Sequence, residues 1–187
     1  HIGSSEKAPF NVIWDTEWVP DQIREIKVIG RIHTKGGLIL LTDVVSGLQL
    51  VREHSVKLVK PYNVPPNWVT REKEYSENIY LDMDPGRISD ARIYWRSWSP
   101  CYSAGIKLNG ELISGKEDWP CYDYYEHIFP IIDLNKLQQG ENTLTTLLTP
   151  LHNGNKVHGM EVQWPGIMLK VKYKQVNNDP EFRESRF

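Results

Sequence analysis

Six aromatic residues lie between positions 98 and 125, at the ends of predicted strands and in the loops that join them. They are Trp98, Tyr102, Trp119, Tyr122, Tyr124 and Tyr125. An aromatic ring stacks on the C–H face of a pyranose, while carboxylates, imidazoles and guanidinium groups hydrogen-bond to its hydroxyl rim. Side chains that can hydrogen-bond in this way occur near the aromatic residues in the sequence: Arg96, Asp118, Asp123 and His127. The cluster therefore predicts a surface that binds sugar rings.

The aromatic composition of the whole chain supports the same interpretation. There are seven Trp and nine Tyr but only four Phe. Core packing does not need the polar N–H or O–H group that Trp and Tyr carry on their rings. A core position is the alternative for any single ring, and Trp95 is expected to be buried. If the rings are exposed, Trp98→Ala and Trp119→Ala should lower sugar affinity and leave the melting temperature nearly unchanged.

A second group of hydrogen-bonding side chains lies in the long polar connection from residue 149 to 166. It contains His152, Asn153, Asn155, His158, Glu161 and Gln163. Loops of this length inside a compact domain are usually functional. The spacing of its two histidines suits neither a helical metal pair nor a zinc site. We therefore expect hydrogen bonding, within the loop or to a ligand, from His152, Asn153 and His158.

Catalysis is an alternative use of the same residues. Three carboxylates near the rings could supply a pair for glycoside hydrolysis: Asp118, Asp123 and Glu126. Tyr124 with His127 or His158 could abstract a proton, as in a lyase. The chain has no Gly-x-Ser-x-Gly elbow, phosphate loop or His-Glu-x-x-His motif. A non-catalytic role is therefore favoured, with a lyase or glycosidase as the alternative.

The elements that carry these residues are predicted to be strands. Asn109 and Gly110, between apolar residues at alternate positions, are the strongest short-range signal for a β-hairpin. Residues 91–96 alternate with a period of two, which indicates a strand with one buried face. Residues 38–45 are apolar enough to predict a strand buried on both faces. No long helical period occurs, so the chain is predicted to be all-β.

Charge and hydropathy exclude two classes of partner. The net charge is −2, and Lys and Arg are scattered along the sequence, which disfavours a nucleic-acid-binding surface. No apolar run approaches the ~20 residues of a membrane-spanning helix. The first residues lack the order of a signal peptide, so we expect an intracellular protein or a processed, mature form.

The two cysteines, Cys101 and Cys121, lie on either side of the predicted hairpin turn. A disulfide between them would close a loop of about 20 residues, add about 3 kcal/mol of stability and imply export from the cytoplasm. Two separate buried thiols are the alternative.

The order of these motifs resembles the galactose-binding-like β-sandwich family. An Ala-x-Ile-x-Trp strand at 91–95 precedes Leu108, Asn109 and Gly110, and an Ile-Asp-Leu…Leu…Gly-Glu-Asn-Thr-Leu run at 132–144 follows them. The likeness covers about residues 78–173. It implies an antiparallel jelly-roll β-sandwich, a fold used by carbohydrate-binding modules and by accessory domains of glycoside hydrolases. The fold also serves as a spacer, so a structural or assembly module is a further alternative.

Together these observations predict a flexible segment at 1–9, one sandwich domain at 10–173 and a tail at 174–187. The expected partner is a carbohydrate, with neither a nucleic acid nor a membrane span, and other domains of a polysaccharide-processing system as further partners. We expect the protein to be secreted or on the cell surface. No cofactor is expected, although some relatives of this fold hold a structural calcium ion, for which Asp15, Glu17 and Asp133 are candidates.

Overall fold

The computed structural model describes residues 1–115, 117–148 and 158–174. Its regular elements there are fourteen β-strands and three 3-10 turns of three residues each. The first seven strands are β1 (Ile26–Val28), β2 (Arg31–His33), β3 (Ile39–Leu41), β4 (Val45–Leu48), β5 (His54–Val59), β6 (Val69–Thr70) and β7 (Tyr75–Leu81). The other seven are β8 (Ile88–Trp98), β9 (Ile106–Leu108), β10 (Glu111–Ser114), β11 (Tyr124–Pro130), β12 (Gly140–Thr146), β13 (Met160–Val162) and β14 (Met168–Lys174). The prediction of an all-β chain is confirmed.

Residues 1–55 form a compact unit, called here the N-terminal unit. Its strands make two separate antiparallel pairs, β1 with β4 and β2 with β3. The predicted strand at 38–45 is shortened to 39–41, and all four residues of 38–41 are exposed, so the expectation of burial on both faces was wrong. Among the described residues, β3 pairs with β2 alone, and no residue from 1 to 54 is buried.

Residues Val56–Lys174 form a second compact unit, called here the sandwich unit. The smaller of its two antiparallel sheets has the strand order β10-β9-β12-β7. The larger has the order β5-β14-β8-β13-β6, with β11 also paired to β8. The 11-residue strand β8 organises the larger sheet, because three other strands pair with parts of it: β14, β13 and β11. The prediction of one domain over 10–173 stays a prediction.

The two sheets of the sandwich unit share one hydrophobic core. Residues at alternate positions of β8, including Ile93 and Trp95, belong to the same buried cluster as Leu108 of β9, Leu144 of β12 and Leu169 of β14. Alternation with a period of two places these side chains between the sheets and their neighbours outside. The predicted antiparallel sandwich is therefore confirmed, and it is consistent with a jelly roll.

The predicted hairpin joins β9 to β10. Asn109 and Gly110 occupy the left-handed region, with φ values of 51° and 86°, as a type I′ turn requires. The Asn109 side chain also donates to the Lys136 carbonyl at 2.8 Å and to Asn142 Oδ1 at 2.9 Å. It accepts from the Thr143 amide at 2.8 Å, so the turn is tied to β12.

Cys101 and Cys121 are bonded, with their Cα atoms 5.1 Å apart. The predicted disulfide is confirmed, and the alternative of separate thiols is excluded. Backbone hydrogen bonds brace the same loop, from the Cys101 amide to the Pro120 carbonyl at 3.2 Å and from the Ser99 amide to the Asp123 carbonyl at 2.9 Å. The loop is thereby fixed to the end of β8.

Candidate functional site

An open cleft of about 740 Å³ lies at the end of β8 in the sandwich unit. Its size falls within the range of small-molecule sites. Aromatic rings and charged side chains share its walls: Asn67, Val69, Arg71, Glu72, Lys73, Tyr75, Trp98, Tyr122, His158, Gly159 and Glu161. Three of these residues, Trp98, Tyr122 and His158, are among those that the sequence predicts to bind a ligand.

Trp98 is the last residue of β8 and is held from both sides. Its backbone pairs with Tyr124 of β11 and with Glu161 of β13. The Trp98 and Tyr124 rings meet edge to face, with centroids 4.9 Å apart and planes at 61°. The indole is half-buried, so it presents part of its surface to the cleft in a fixed orientation.

Tyr122 follows the disulfide and has a left-handed backbone with φ of 57°. Its amide donates to Ser99 Oγ at 2.9 Å, and its hydroxyl accepts from the Tyr102 hydroxyl at 2.8 Å. That hydrogen bond raises the pKa of the Tyr102 hydroxyl above its ordinary value, so Tyr102 stays protonated and donating. The Tyr122 ring is nevertheless 61% exposed, which leaves it available to a ligand.

Residues 71–73 and Tyr75, the first residue of β7, also line the cleft. The Lys73 ammonium lies 4.7 Å from the centroid of the Tyr75 ring, a cation–π distance. Gly159 packs against residues 69–71 with φ of 90°, and a Cβ there would come within 2.8 Å of Arg71 Cβ and 2.9 Å of the Thr70 carbonyl oxygen. Only glycine fits this backbone without moving these residues.

The charges of the cleft are mixed. Arg71 and Lys73 carry positive charge, and Glu72 and Glu161 carry negative charge. Gln163 Nε2 donates to Glu161 Oε1 at 3.1 Å, which orients that carboxylate. The His158 ring lies 6.4 Å from the Tyr122 ring, measured between centroids. Such donors and acceptors around apolar ring faces can hold a polyhydroxylated ligand.

Two predicted site residues are core residues instead, and the expectation that they face a ligand was wrong. Trp119 is 8% exposed and His127 is 1% exposed. The His127 ring stacks on Trp95 at 4.1 Å with an interplanar angle of 7°, and the Trp119 edge contacts it at 5.1 Å. Burial lowers the pKa of His127 to about 4, so the ring is neutral. Its Nε2 hydrogen-bonds to Ser97 Oγ at 2.7 Å.

The physical reason lies in β11, where alternate residues point between the sheets and place His127 inward beside Trp95. Trp119→Ala is therefore expected to destabilise the protein, contrary to the interpretation based on the sequence. Tyr102, 6% exposed, is also buried and supports Tyr122 rather than facing a ligand.

The remaining predicted residues lie outside the cleft. Tyr124 and Tyr125 are exposed on β11, and Tyr124 contacts the indole of Trp98 from behind. Asp118 and Asp123 are exposed but do not line the cleft, and Asp123 Oδ1 accepts from the Tyr124 amide at 2.7 Å. His152 and Asn153 lie outside the described residues.

The contribution of Arg71, Lys73 and Tyr75 to the cleft was not predicted from the sequence. The signal available was a run of charged residues at 71–77 that contains a tyrosine. Trp68, which precedes this run, is buried, and its Nε1 donates to Thr146 Oγ1 at 2.9 Å.

No cluster of three or more His, Cys, Asp or Glu side chains suited to a metal ion occurs in the part of the chain that the structure describes. Of the calcium candidates, Asp15 accepts from the Glu17 amide at 2.9 Å, and Asp133 accepts from the Asn135 amide at 3.1 Å. Both carboxylates therefore stabilise local turns. Among the same described residues, no helix is long and apolar enough to cross a membrane.

Comparison with known proteins gave no match to any family model or curated protein sequence. Similar solved structures include a variant of BuGH86 and wild-type BuGH86, each in complex with neoagarooctaose. The variant aligns with a TM-score of 0.47 and 14% identity, and the wild type with 0.46 and 15%. Each match covers 85% of this chain and 29% of the solved chain, so this chain spans less than a third of their length. Similarity at this level carries no inference about ligand or activity.

Proposed function

We propose that the sandwich unit is a non-catalytic carbohydrate-binding domain that recognises a glycan through the aromatic walls of its cleft. The observation that carries this proposal is the placement of Tyr75, Trp98 and Tyr122 around one open cleft, among side chains that can hydrogen-bond to hydroxyl groups. Rings of this type provide apolar surface for the C–H faces of sugars at a low cost in conformational entropy.

The fixed orientation of these rings supports the proposal. The disulfide, the Ser99 hydroxyl and the Tyr102 hydroxyl together restrain Tyr122, and cross-strand pairing restrains Trp98. A site whose side chains are ordered before binding loses less entropy when the ligand binds. Core packing alone does not require Tyr122 to be held with most of its ring in solvent.

The proposal extends to fold family and location. We assign the sandwich to the galactose-binding-like jelly-roll type, on the basis of its hairpin and strand motifs and the antiparallel order of its two sheets. The Cys101–Cys121 disulfide favours an oxidising compartment, which supports a secreted or cell-surface protein. Other domains of a polysaccharide-processing system are the expected covalent or bound partners.

A glycan array followed by calorimetry on the best hit tests the proposal. Trp98→Ala and Tyr122→Ala should each weaken binding about tenfold or more, because each removes a stacking surface at the centre of the site. Tyr80 of β7, also 61% exposed, and Trp164, 89% exposed, lie outside the cleft and serve as matched controls. Tyr80→Ala and Trp164→Ala should leave affinity unchanged within about twofold.

Other results would favour the alternatives. Release of shortened glycan products would indicate a lyase or glycosidase. The carboxylates in the described lining of the cleft are Glu72 and Glu161, not the predicted Asp118, Asp123 and Glu126. An array with neither binding nor product would contradict the proposal and favour a structural or assembly module.

A further inference from the structure

A row of side chains crosses four neighbouring strands of the larger sheet at the cleft. Tyr124 of β11 pairs with Trp98 of β8, Trp98 pairs with Glu161 of β13, and Glu161 pairs with Val69 of β6. Directly opposed residues of an antiparallel sheet project from the same face. Three of the four residues line the cleft, and Tyr124 lies beside them, one strand beyond Trp98. We call these four residues the transverse row.

The transverse row lies on the outer face of the larger sheet. The adjacent residues Ser97, Met160 and Thr70 are at most 1% exposed, whereas Tyr124 is 50% exposed and Glu161 is also exposed. Successive side chains of a strand point to opposite faces, so the row points away from the core. Tyr124 is therefore accessible from the same side of the sheet as the cleft.

Two members of the row provide the two kinds of contact that a sugar unit requires. The Trp98 indole offers apolar ring surface, and the Glu161 carboxylate accepts hydrogen bonds from hydroxyl groups. Gln163 Nε2 donates to Glu161 Oε1 at 3.1 Å and orients it. Opposed residues on one face have Cβ atoms about 5 Å apart, so one sugar unit can contact both side chains. This pair defines a first subsite.

Tyr124 offers a further contact outside the cleft. The exposed half of its side chain combines apolar ring surface with a hydroxyl that can donate and accept. The centroid of its ring lies 4.9 Å from that of Trp98, and the Arg96 guanidinium lies 5.2 Å from the same ring. These neighbours restrain the ring before any ligand binds, which lowers the entropy lost on binding.

The transverse row is longer than one sugar unit. Adjacent strands are about 4.8 Å apart, so the three spacings from Tyr124 to Val69 cover about 14 Å. A pyranose ring is about as wide as one such spacing. A monosaccharide held between Trp98 and Glu161 therefore leaves Tyr124 uncontacted, whereas a linked chain that lies across the strands reaches it.

We propose that Tyr124 forms a second subsite, which binds the next unit of a glycan whose preceding unit lies on Trp98 and Glu161. This inference rests on the carbohydrate-binding function proposed above. It names the class of ligand, which is a linked chain of sugars running across the strands rather than a monosaccharide. Tyr124 then contributes to affinity only when the ligand is long enough to reach β11.

Oligosaccharide ladders test this proposal. The probes are oligosaccharides of glucan, xylan, mannan, galactan and chitin, from the monosaccharide to about six units, titrated into the full chain by calorimetry or, for weak ligands, by NMR. The wild type should bind the longer members of at least one ladder about tenfold or more tightly than its monosaccharide. The second contact is made within one complex, so it adds no second loss of translational freedom.

Tyr124→Ala should remove most of that gain, lowering affinity about tenfold for the longer ligands and less than about twofold for the monosaccharide. Trp98→Ala should lower affinity at every length, because all of the ligands occupy the first subsite. Tyr125→Ala is the matched control. Tyr125 is the next residue of β11, is 40% exposed and pairs with the buried Ser97, so its side chain belongs to the other face. This variant should keep the wild-type dependence on length.

An equal loss at all lengths in Tyr124→Ala would overturn the inference, because it would show that Tyr124 only supports the Trp98 ring. Tyr124→Thr replaces the alanine variant if the latter unfolds, because threonine favours strands. Affinity that does not depend on length, yet falls in Trp98→Ala, would overturn the second subsite and leave the carbohydrate-binding function standing. Binding to no ladder and to no glycan on the array would contradict both.

Discussion

Leu40 in β3 and Leu144 in β12 are the same residue in the same type of secondary structure, yet the first is 52% exposed and the second is fully buried. The difference in exposure follows from what packs against each strand. Leu144 belongs to a sheet that shares a core with a second sheet, whereas the described residues give β3 in the N-terminal unit a single partner strand, β2. Two-stranded pairs are marginally stable in water, while stacked sheets of several strands are stable on their own.

The N-terminal unit uses polar contacts where the sandwich unit uses a core. The Arg52 side chain is 8% exposed, and its guanidinium forms an ion pair with Asp21 and donates to the carbonyl oxygens of Thr16 and Val19. His54 Nε2 lies 3.1 Å from the Glu17 carbonyl oxygen. Similar apolar strands therefore differ in stability according to whether a second layer packs against them.

The largest expected effect is the difference in unfolding free energy between alanine substitutions at these two leucines. Leu144→Ala should lower the free energy of unfolding by about 2–5 kcal/mol, because it leaves a cavity between the sheets. Leu40→Ala should change it by no more than about 0.5 kcal/mol. Urea denaturation followed by tryptophan fluorescence measures both, and similar losses would contradict the contrast between the units.

The second prediction concerns the loss of stability when the disulfide is removed. Cys101→Ser with Cys121→Ser should lower stability by about 3 kcal/mol, because opening a loop of 20 residues increases the entropy of the unfolded chain. The same variant should weaken glycan binding, since Tyr122 would lose the restraint next to it. Hydrogen exchange in the N-terminal unit, which contains no cysteine, should not change. Faster exchange there would contradict this expectation.

A third prediction concerns Glu77, a fully buried carboxyl group of β7 that accepts from the Ile167 amide at 2.8 Å. Burial raises its pKa from 4.5 to about 9. Between those values the folded state holds a proton that the unfolded state has lost, so stability is fully present below the lower pKa and falls as pH rises toward the upper one. Glu77→Gln, which has no such proton, should remove this pH dependence.

The measurement for Glu77 is the difference in unfolding free energy between wild type and variant from pH 7 to 8.5. The wild type should lose stability relative to Glu77→Gln by up to about 1.4 kcal/mol per pH unit. This range excludes His127, whose pKa is lowered to about 4 from 6.5 and whose contribution is lost only as pH falls through that interval. Parallel pH profiles would show that Glu77 is ionised in the folded protein.

The smallest expected effect is local to the N-terminal unit. Arg52→Ala removes the hydrogen bonds to residues 16–21, and amide exchange in that segment should accelerate about tenfold. Exchange at the core strands β8 and β14 should stay at the wild-type rate. Arg52→Lys keeps the charge and should restore part of the protection, which separates the charge from the hydrogen-bonding geometry.

Reasoning from the sequence succeeded where a local rule fixes the structure. Asn109 and Gly110 accept the positive φ of a hairpin turn, β8 alternates with a period of two, and the two cysteines flank the hairpin. These features depend on neighbouring residues and on steric limits of the backbone, so they can be read along the chain.

Local patterns along the chain therefore account for the all-β character of this protein, its central hairpin and its surplus of indole and phenol rings. The burial of Trp119 and His127 in the core, and the grouping of Arg71, Lys73 and Tyr75 with Trp98 around one cleft, depend on the tertiary structure. The physical reason is that alternation of apolar and polar residues along the sequence indicates which side chains share one face of a strand. Which face another layer covers, and which distant strands lie side by side, is set by long-range packing.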